Sequence, residues 1–266
     1  MRRLGPTLAA FFSALTVATT QLPARGQQPA PADPRVANHL AGWERTMGAL
    51  VNFSAKFELV RTDNVFKKER HYEGSVLCMK PNYALLAINS TSDKSDYESF
   101  LSNGKSVYHY DTPKKTITEF KLNAAGAADN LMLEFLGGMK AADAQKRFRM
   151  QVLSDDAAKD PNYVILAIEP LLARDKQEFL QARLALLAPT NVARLPAYLP
   201  ATVWLQQPNG NTELWKLKNH TTNSPGVDTK YFEFKGPIQG WQFQQAPAAP
   251  PPGAPALPAG GALPGT

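Results

Sequence analysis

The sequence predicts one mainly β domain of the α+β class, in which an antiparallel sheet follows an N-terminal helix. Hydrophobic side chains recur every two residues over most of the chain from residue 52, which is the period of a strand with one buried face. Short connections rich in Pro, Asn and Gly separate these segments, as between antiparallel neighbours. No internal repeat of 20 to 50 residues is evident, which argues against propellers and solenoids.

The composition is that of a folded chain. Its 266 residues are 44% hydrophobic and 20% charged, which supplies a core and excludes wholesale disorder. The single cysteine, Cys78, excludes an intramolecular disulfide and a multi-cysteine zinc site.

The first 26 residues have the layout of a signal peptide. Arg2 and Arg3 precede an apolar stretch, residues 8–18, that is too short to span a bilayer comfortably. Ala24 and Gly26 then occupy positions −3 and −1 of a cleavage site. An uncleaved membrane anchor or a buried helix is the alternative. The protein is therefore predicted to be periplasmic or secreted, and no cysteine follows that could accept a lipid.

Removing the leader would also lower the net charge. The formal charge of +6 falls to +3 without Arg2, Arg3 and Arg25. That excess is too small to indicate a nucleic-acid partner.

Two further segments flank the predicted domain, residues 34–245. Residues 27–33 form a polar, Pro-rich linker. Residues 246–266 contain seven Pro, seven Ala and four Gly, a composition that cannot bury a core and predicts a disordered tail.

The domain begins with a predicted amphipathic helix. Asp33 is a suitable N-cap, and Pro34 suits the first helical position. The hydrophobic residues that follow recur at helical spacing on one stripe, which indicates a face packed on the core. They are Val36, Leu40, Trp43, Met47 and Leu50.

Strands dominate the rest of the domain. Two short helices, residues 131–136 after an Asp129 cap and residues 139–148, interrupt the meander. Residues 179–187 fit either a helix or a strand, and their place between strands favours a strand. Asn103-Gly104 predicts a tight hairpin turn with positive φ at both residues. The predicted strands cover residues 53–59, 66–80, 83–88, 97–101, 106–110, 116–122, 149–153, 163–169, 179–187, 202–206 and 212–219, with 231–234 and 241–243 closing the sheet.

No catalytic, metal or cofactor site is predicted. His109 and Asp111 share a strand face and could form a base with its orienting partner, but an exposed histidine in a hairpin is the simpler interpretation. Asp155-Asp156 reads as a solvated loop, and Cys78 as a small buried hydrophobe. Trp204 and Trp215 are assigned to the core.

Four sequence stretches together resemble the outer-membrane lipoprotein carrier (LolA-like) family. The resemblance covers about residues 34–243, and the layout is closest to the secreted LolA-like proteins of planctomycetes. The four stretches are FSAKF at 53–57, GSVLCMKPN at 74–82, LSNGKSVYHYD at 101–111 and FEFKGPIQG at 232–240.

The resemblance implies an unclosed antiparallel β-barrel, with helices packed on its concave side and an apolar cavity for acyl chains. Lys80 falls where the family has an important arginine on the cavity wall, and lysine offers a point charge instead of a planar fork of donors. Val76 and Cys78 alternate onto the same strand face as Lys80. Further candidates for the lining are Phe53, Phe57 and Leu86.

Three functional hypotheses follow. The first is a monomeric exported carrier or sensor that binds an acyl-bearing lipid or lipoprotein, with envelope proteins as further partners. The second is a non-enzymatic envelope structural or adaptor protein that uses its Pro-rich tail. The third is a hydrolase that uses His109 and Asp111.

We expect the exported protein to begin near Gln27, because Ala24 and Gly26 satisfy the small-residue preference of signal peptidase. N-terminal sequencing of material recovered from outside the cytoplasm measures this. Recovery of an intact Met1 in the membrane pellet would contradict it.

Overall fold

A computed structural model describes residues 34–122, 131–153, 160–193 and 195–246 of the chain. The predicted signal peptide, the linker with Asp33, and the tail beyond Ala246 lie outside the described residues. So do Asp129 and the pair Asp155-Asp156.

Twelve strands form a single unclosed sheet, which confirms the predicted mainly β, open antiparallel architecture. The strand order is β12-β6-β5-β4-β3-β2-β1-β11-β10-β9-β8-β7. The strands are β1 (Asn52–Asp63), β2 (Lys68–Met79), β3 (Tyr83–Ser90), β4 (Tyr97–Asn103), β5 (Ser106–Asp111), β6 (Thr116–Lys121), β7 (Phe148–Val152), β8 (Tyr163–Pro170), β9 (Gln181–Leu187), β10 (Pro200–Gln206), β11 (Thr212–Thr222) and β12 (Gln242–Gln245).

The helices are α1 (Pro34–Ala49), α2 (Leu131–Gly137), α3 (Ala141–Arg147) and α4 (Ala173–Glu178), with a 3-10 helix at Thr229–Phe232. The predicted stripe of α1 is buried through Val36, Leu40, Trp43 and Met47. Helix α4 was not predicted. Residues 181–187 are a strand, as their position between strands indicated.

The main core lies on one face of the sheet, where α1 and α2 pack. Alternate residues of β1, Phe53, Ala55, Phe57 and Leu59, are no more than 3% exposed. They join the stripe of α1, the apolar side of α2 and the matching face of β7 to β11 in one cluster. Burial of this face supplies most of the hydrophobic stabilisation.

This core face is concave. Arg61 Nη2 on β1 donates to Glu98 Oε2 on β4 at 2.9 Å, although β2 and β3 lie between them. The strand register does not place these two residues opposite each other. Following the pairs from Glu98 across β3 and β2 leads to Phe57 on β1, by way of Ile88 and Gly74. Phe57 is four residues before Arg61 on the same strand. A flat sheet would hold the two backbones about 19 Å apart, beyond the reach of both side chains. The sheet therefore curls toward the helices.

A second, smaller core covers the opposite face of β2 to β6. Leu101, Tyr108 and Ile117 pack there against Phe232 from the C-terminal segment. The ring of Phe234 stacks on Tyr108 at 3.9 Å between centroids.

The predicted strand 231–234 is wrong, whereas the predicted strand 241–243 is present as β12 but does not close the sheet. Residues 229–232 form the 3-10 helix because Asp228 accepts a hydrogen bond from the Lys230 amide at 2.9 Å. Strand β12 pairs parallel to β6 and forms an edge instead of closing the sheet.

The Asn103-Gly104 turn also differs from its prediction. Only Gly104 has a positive φ, of 81°. Asn103 stays in the strand, and its Oδ1 accepts the amides of Lys105 at 3.0 Å and Ser106 at 2.9 Å. Asn side chains commonly stabilise turns in this way.

Gly74 on β2 allows the Phe57 ring of β1 and the backbone of β3 to pack closely against it. A Cβ at this position would clash with the backbone carbonyl oxygen of Ala87 and with the Phe57 ring. The Phe57 side chain therefore lies across a strand position that only glycine can occupy.

We expect Gly74→Ala to lower the free energy of unfolding by about 1–3 kcal/mol, because a backbone oxygen cannot yield to the added methyl group. Chemical denaturation measures this. Gly48→Ala is the matched control, since nothing lies within 4 Å of its added Cβ and alanine favours a helix. Equal losses at both positions would contradict the packing argument.

Candidate functional site

The predicted lining residues meet on the concave face of β1, β2 and β3. Val76 pairs with Ala55 on β1 and with Leu86 on β3, so all three side chains share one face. Phe53, Phe57, Val76 and Leu86 are each 1–2% exposed. The structure therefore brings these four together, and they contact packed core atoms.

Cys78 lies beside them at the end of β2. It pairs with Phe53 on β1 and with Ala84 on β3, and it packs partly buried against the main core. Burial raises the pKa of its thiol to about 12. Cys78 is consequently a protonated, weakly polar group in this wall.

Lys80 lies just beyond the wall. Strand β2 ends at Met79, so Lys80 is in the following turn and is exposed, whereas the sequence predicted a strand through residue 80. Its Nζ donates to the carbonyl oxygen of Gly48 in the last turn of α1, and its amide donates to Val51 O at 3.1 Å. A cation suits a helix C-terminus, so Lys80 ties α1 to the sheet.

Polar contacts also hold α1 over the core. Besides the Lys80 bond, Glu44 Oε2 accepts the Ala141 amide at the start of α3 at 3.0 Å. His39 Nδ1 lies 3.4 Å from the Tyr198 hydroxyl. The hydrophobic stripe adds the buried contacts between α1 and the main core.

Trp43, in the middle of this stripe, carries an unpaired donor. Its side chain is fully buried, and its Nε1–H has no hydrogen-bond partner among the described residues. A buried donor without a partner costs about 1–3 kcal/mol. The indole of Trp215 in the same core, by contrast, donates to Glu213 Oε2 at 3.0 Å.

Arg147 joins the remaining helices into one unit. Its Nη1 donates to both carboxylate oxygens of Glu134 on α2 at 2.8 Å, and its Nη2 donates to Asp175 on α4 at 2.7 Å. Burial alone would lower the pKa of Arg147, but the two carboxylates raise it well above its ordinary value. The guanidinium stays charged and fixes α2, α3 and α4 to one another.

A second ion cluster lies toward the opposite end of β1 from the Lys80 bond. Arg61 donates to Glu98 and also, through Nε, to Glu213 Oε1 at 3.1 Å. Burial opposes ionisation of Glu98, but the hydrogen bond from His109 and the charge of Arg61 lower its pKa to about 2. The cluster holds β1, β4 and β11 together across the concave face.

His109 is not the exposed histidine that the sequence predicted. It is half-buried, with its Nε2 3.0 Å from Glu98 Oε1 and its ring stacked on Phe100 at 4.3 Å. Asp111 instead accepts a bond from Lys114 Nζ at 2.6 Å. The base–orienter pair proposed for a hydrolase is therefore not formed. Sequence spacing could not identify Glu98 as the partner, because that pairing depends on the β4–β5 register.

The two tryptophans differ in burial. Trp215 is core, as predicted. Trp204 is half-buried on the other face, where Arg183 lies 5.3 Å from its ring centroid.

The described residues contain no group of three or more His, Cys, Asp or Glu placed to hold a metal ion. None of their helices combines the length and the apolar character that a bilayer crossing requires.

Comparisons with known proteins find similarity in structure only. No protein-family model and no curated protein matches the sequence. An uncharacterized conserved protein from Thermus thermophilus is 9% identical, with a TM-score of 0.48 over 80% of this chain and 99% of that one. A putative outer membrane lipoprotein-sorting protein domain from Vibrio parahaemolyticus is 10% identical, with a TM-score of 0.42 over 75% and 96%.

A LolA superfamily protein from Nitrosomonas europaea is 11% identical, with a TM-score of 0.40 over 75% of this chain and 97% of that one. At these identities the likeness concerns the fold alone.

We expect the free energy of unfolding to fall as the pH drops from about 4.5 to about 2, because protonation of Glu98 breaks its bonds to Arg61 and His109. A depressed native pKa stabilises the fold above the unfolded pKa, and this contribution is lost below it. The slope for one proton is about 1.4 kcal/mol per pH unit at most. Glu98→Gln should remove that slope in urea titrations.

Exposed Glu73→Gln is the control for this measurement. The pKa of Glu119 is also lowered to about 2, chiefly by its hydrogen bond from Lys121, but Glu119 is present in every variant and cancels. An acid slope that is unchanged in Glu98→Gln would contradict the assignment.

Proposed function

We propose that the chain is an exported carrier or sensor that binds an acyl-bearing lipid or lipoprotein on its concave face. The observation that carries this proposal is the unpaired Trp43 indole N–H inside an otherwise apolar core. A carbonyl or carboxyl oxygen at the head of an acyl chain would accept from it, while the chain itself replaces hydrocarbon contacts.

Binding requires that the helices packed on the concave face move. Phe53, Phe57, Val76 and Leu86 are 1–2% exposed, so an acyl chain reaches them only by displacing side chains that now pack there. Helix α1 is the candidate for this displacement, because its hydrophobic stripe packs in the same core as these residues while the helix itself is not part of the hydrogen-bonded sheet. Its polar contacts at Glu44, His39 and Gly48 would then have to break. Cys78 completes the proposed lining. Lys80 supplies one of the hydrogen bonds that attach α1, through Gly48.

The same burial favours a second candidate function. If the concave core stays filled by its own side chains, the domain is a non-enzymatic envelope structural or adaptor protein, with the Pro-rich segment after residue 245 as its docking element. Native mass spectrometry separates the two, since a carrier would retain a co-purifying lipid.

We expect saturable binding of a fluorescent fatty-acid probe, and about fivefold weaker binding by Trp43→Phe, because one hydrogen bond to the probe is lost. Trp215→Phe is the matched control, since the same ring change removes a donor already paired with Glu213. We expect its affinity to stay within about twofold of the unmodified protein.

Circular dichroism and thermal midpoints verify that both variants fold. Absence of saturable probe binding by the unmodified protein, together with a lipid-free native mass, would reject the carrier in favour of the adaptor. Equal losses in the two variants would remove Trp43 from the site.

A further inference from the structure

The tip of the β1–β2 hairpin exposes two adjacent hydrophobic side chains. Val65 is 73% exposed and Phe66 is 71% exposed. Asp63 Oδ1 accepts the amide of Val65 at 2.9 Å and that of Phe66 at 3.0 Å. Single exposed hydrophobic residues are common. Here two neighbours are exposed in a turn whose backbone is fixed by Asp63, which indicates a binding surface.

The tip is also braced from the side. The Asn64 amide donates to Asn211 Oδ1 at 3.1 Å, and Asn64 Nδ2 donates to the carbonyl oxygen of Gly210. Both acceptors belong to the β10–β11 turn. Because the turn is held in place, docking of its side chains costs little conformational entropy.

Three further exposed leucines lie at the same end of the strands. The Leu180 amide donates to Gln206 O at 2.8 Å, Gln206 pairs with Thr212, and Thr212 pairs with Thr62. The connection from β8 to β9 therefore ends at the same end of the sheet as the hairpin tip, three strand spacings or about 14 Å from Thr62. The tip surface, as defined here, consists of Val65, Phe66, Leu171, Leu172 and Leu180, each 39–73% exposed.

Cations flank the hairpin part of this surface. Lys67, Lys68 and Arg70 are exposed and form no ion pair with any described residue. Two carboxylates lie beside them: Asp63, opposite Lys68, directs one oxygen to the backbone of the turn, and Glu69 lies 3.8 Å from His71 Nε2. Apolar side chains beside free cations match the boundary of an anionic bilayer, where hydrocarbon lies beneath phosphate.

We infer that the tip surface docks on an anionic phospholipid bilayer, with Val65 and Phe66 at the acyl boundary and Lys67 and Lys68 at the phosphates. None of these residues belongs to the proposed concave site. Docking at the tip surface does not depend on what the domain holds inside.

Flotation with vesicles tests it, using equal amounts of phosphatidylglycerol and phosphatidylcholine. We expect the protein to float, and the double variant Val65→Ser with Phe66→Ser to bind at least about tenfold more weakly. Replacing Lys67 by Asn and Lys68 by Gln should cost about fivefold per lysine on these vesicles. Neither change buries a polar group, so the thermal midpoint should hold.

Val192→Ser is the matched control. Val192 is 83% exposed, and its amide donates to Asn162 Oδ1 just before β8, which places it at the opposite end of the strands. We expect its binding to equal that of the unmodified protein. All variants carry the same N-terminal segment, so differences between them report the changed residues.

A reporter locates the inserted residue. Vesicles of brominated lipid should quench the fluorescence of the indole that Phe66→Trp introduces. They should not quench the fluorescence of the indole that Val192→Trp introduces. The inference is overturned if the unmodified protein fails to float, if the serine variants float equally well, or if phosphatidylcholine alone binds as tightly. Binding of the fatty-acid probe to the serine variant is measured separately. If the probe still binds but the vesicles do not, the loss belongs to the tip surface and not to the concave site.

Discussion

The concave face of this unclosed sheet is apolar along its length and must be covered, and the rest of the structure follows from how the helices cover it. In a closed barrel the concave side would be the interior, filled by inward-facing side chains of the strands themselves. Here β7 and β12 stay apart as edges, so α1, α2 and α3 supply the missing hydrophobic contacts. The domain is therefore held together by burial of helices that are not themselves part of the hydrogen-bonded sheet.

Polar groups secure this cover at its margins. Lys80 ties the last turn of α1 to the end of β2, and Arg147 joins the other helices through two carboxylates. Arg61 draws β1 and β4 together toward the far end of the concave face. Each cation has a partner, so the charges are satisfied without entering the hydrocarbon between them. Trp43 Nε1 is the exception within that hydrocarbon.

The two proposals assign lipid to different parts of the molecule. The concave site would hold an acyl chain against Phe53, Val76 and Leu86, which are now covered. The hairpin tip would meet the bilayer with side chains that are already exposed and fixed by Asp63. The first therefore demands a conformational change and the second does not. Their physical requirements are independent, and either can fail alone.

The sequence by itself determined the faces of the strands and the buried stripe of α1, because side-chain direction follows from local periodicity. On that basis Phe53, Phe57, Val76 and Leu86 share one wall, and residues 181–187 form a strand. Only the tertiary structure decided that Lys80 binds Gly48, that His109 pairs with Glu98, and that β12 joins β6 in parallel. Those contacts depend on register and on curvature summed over several strands, and no local pattern in the sequence encodes either.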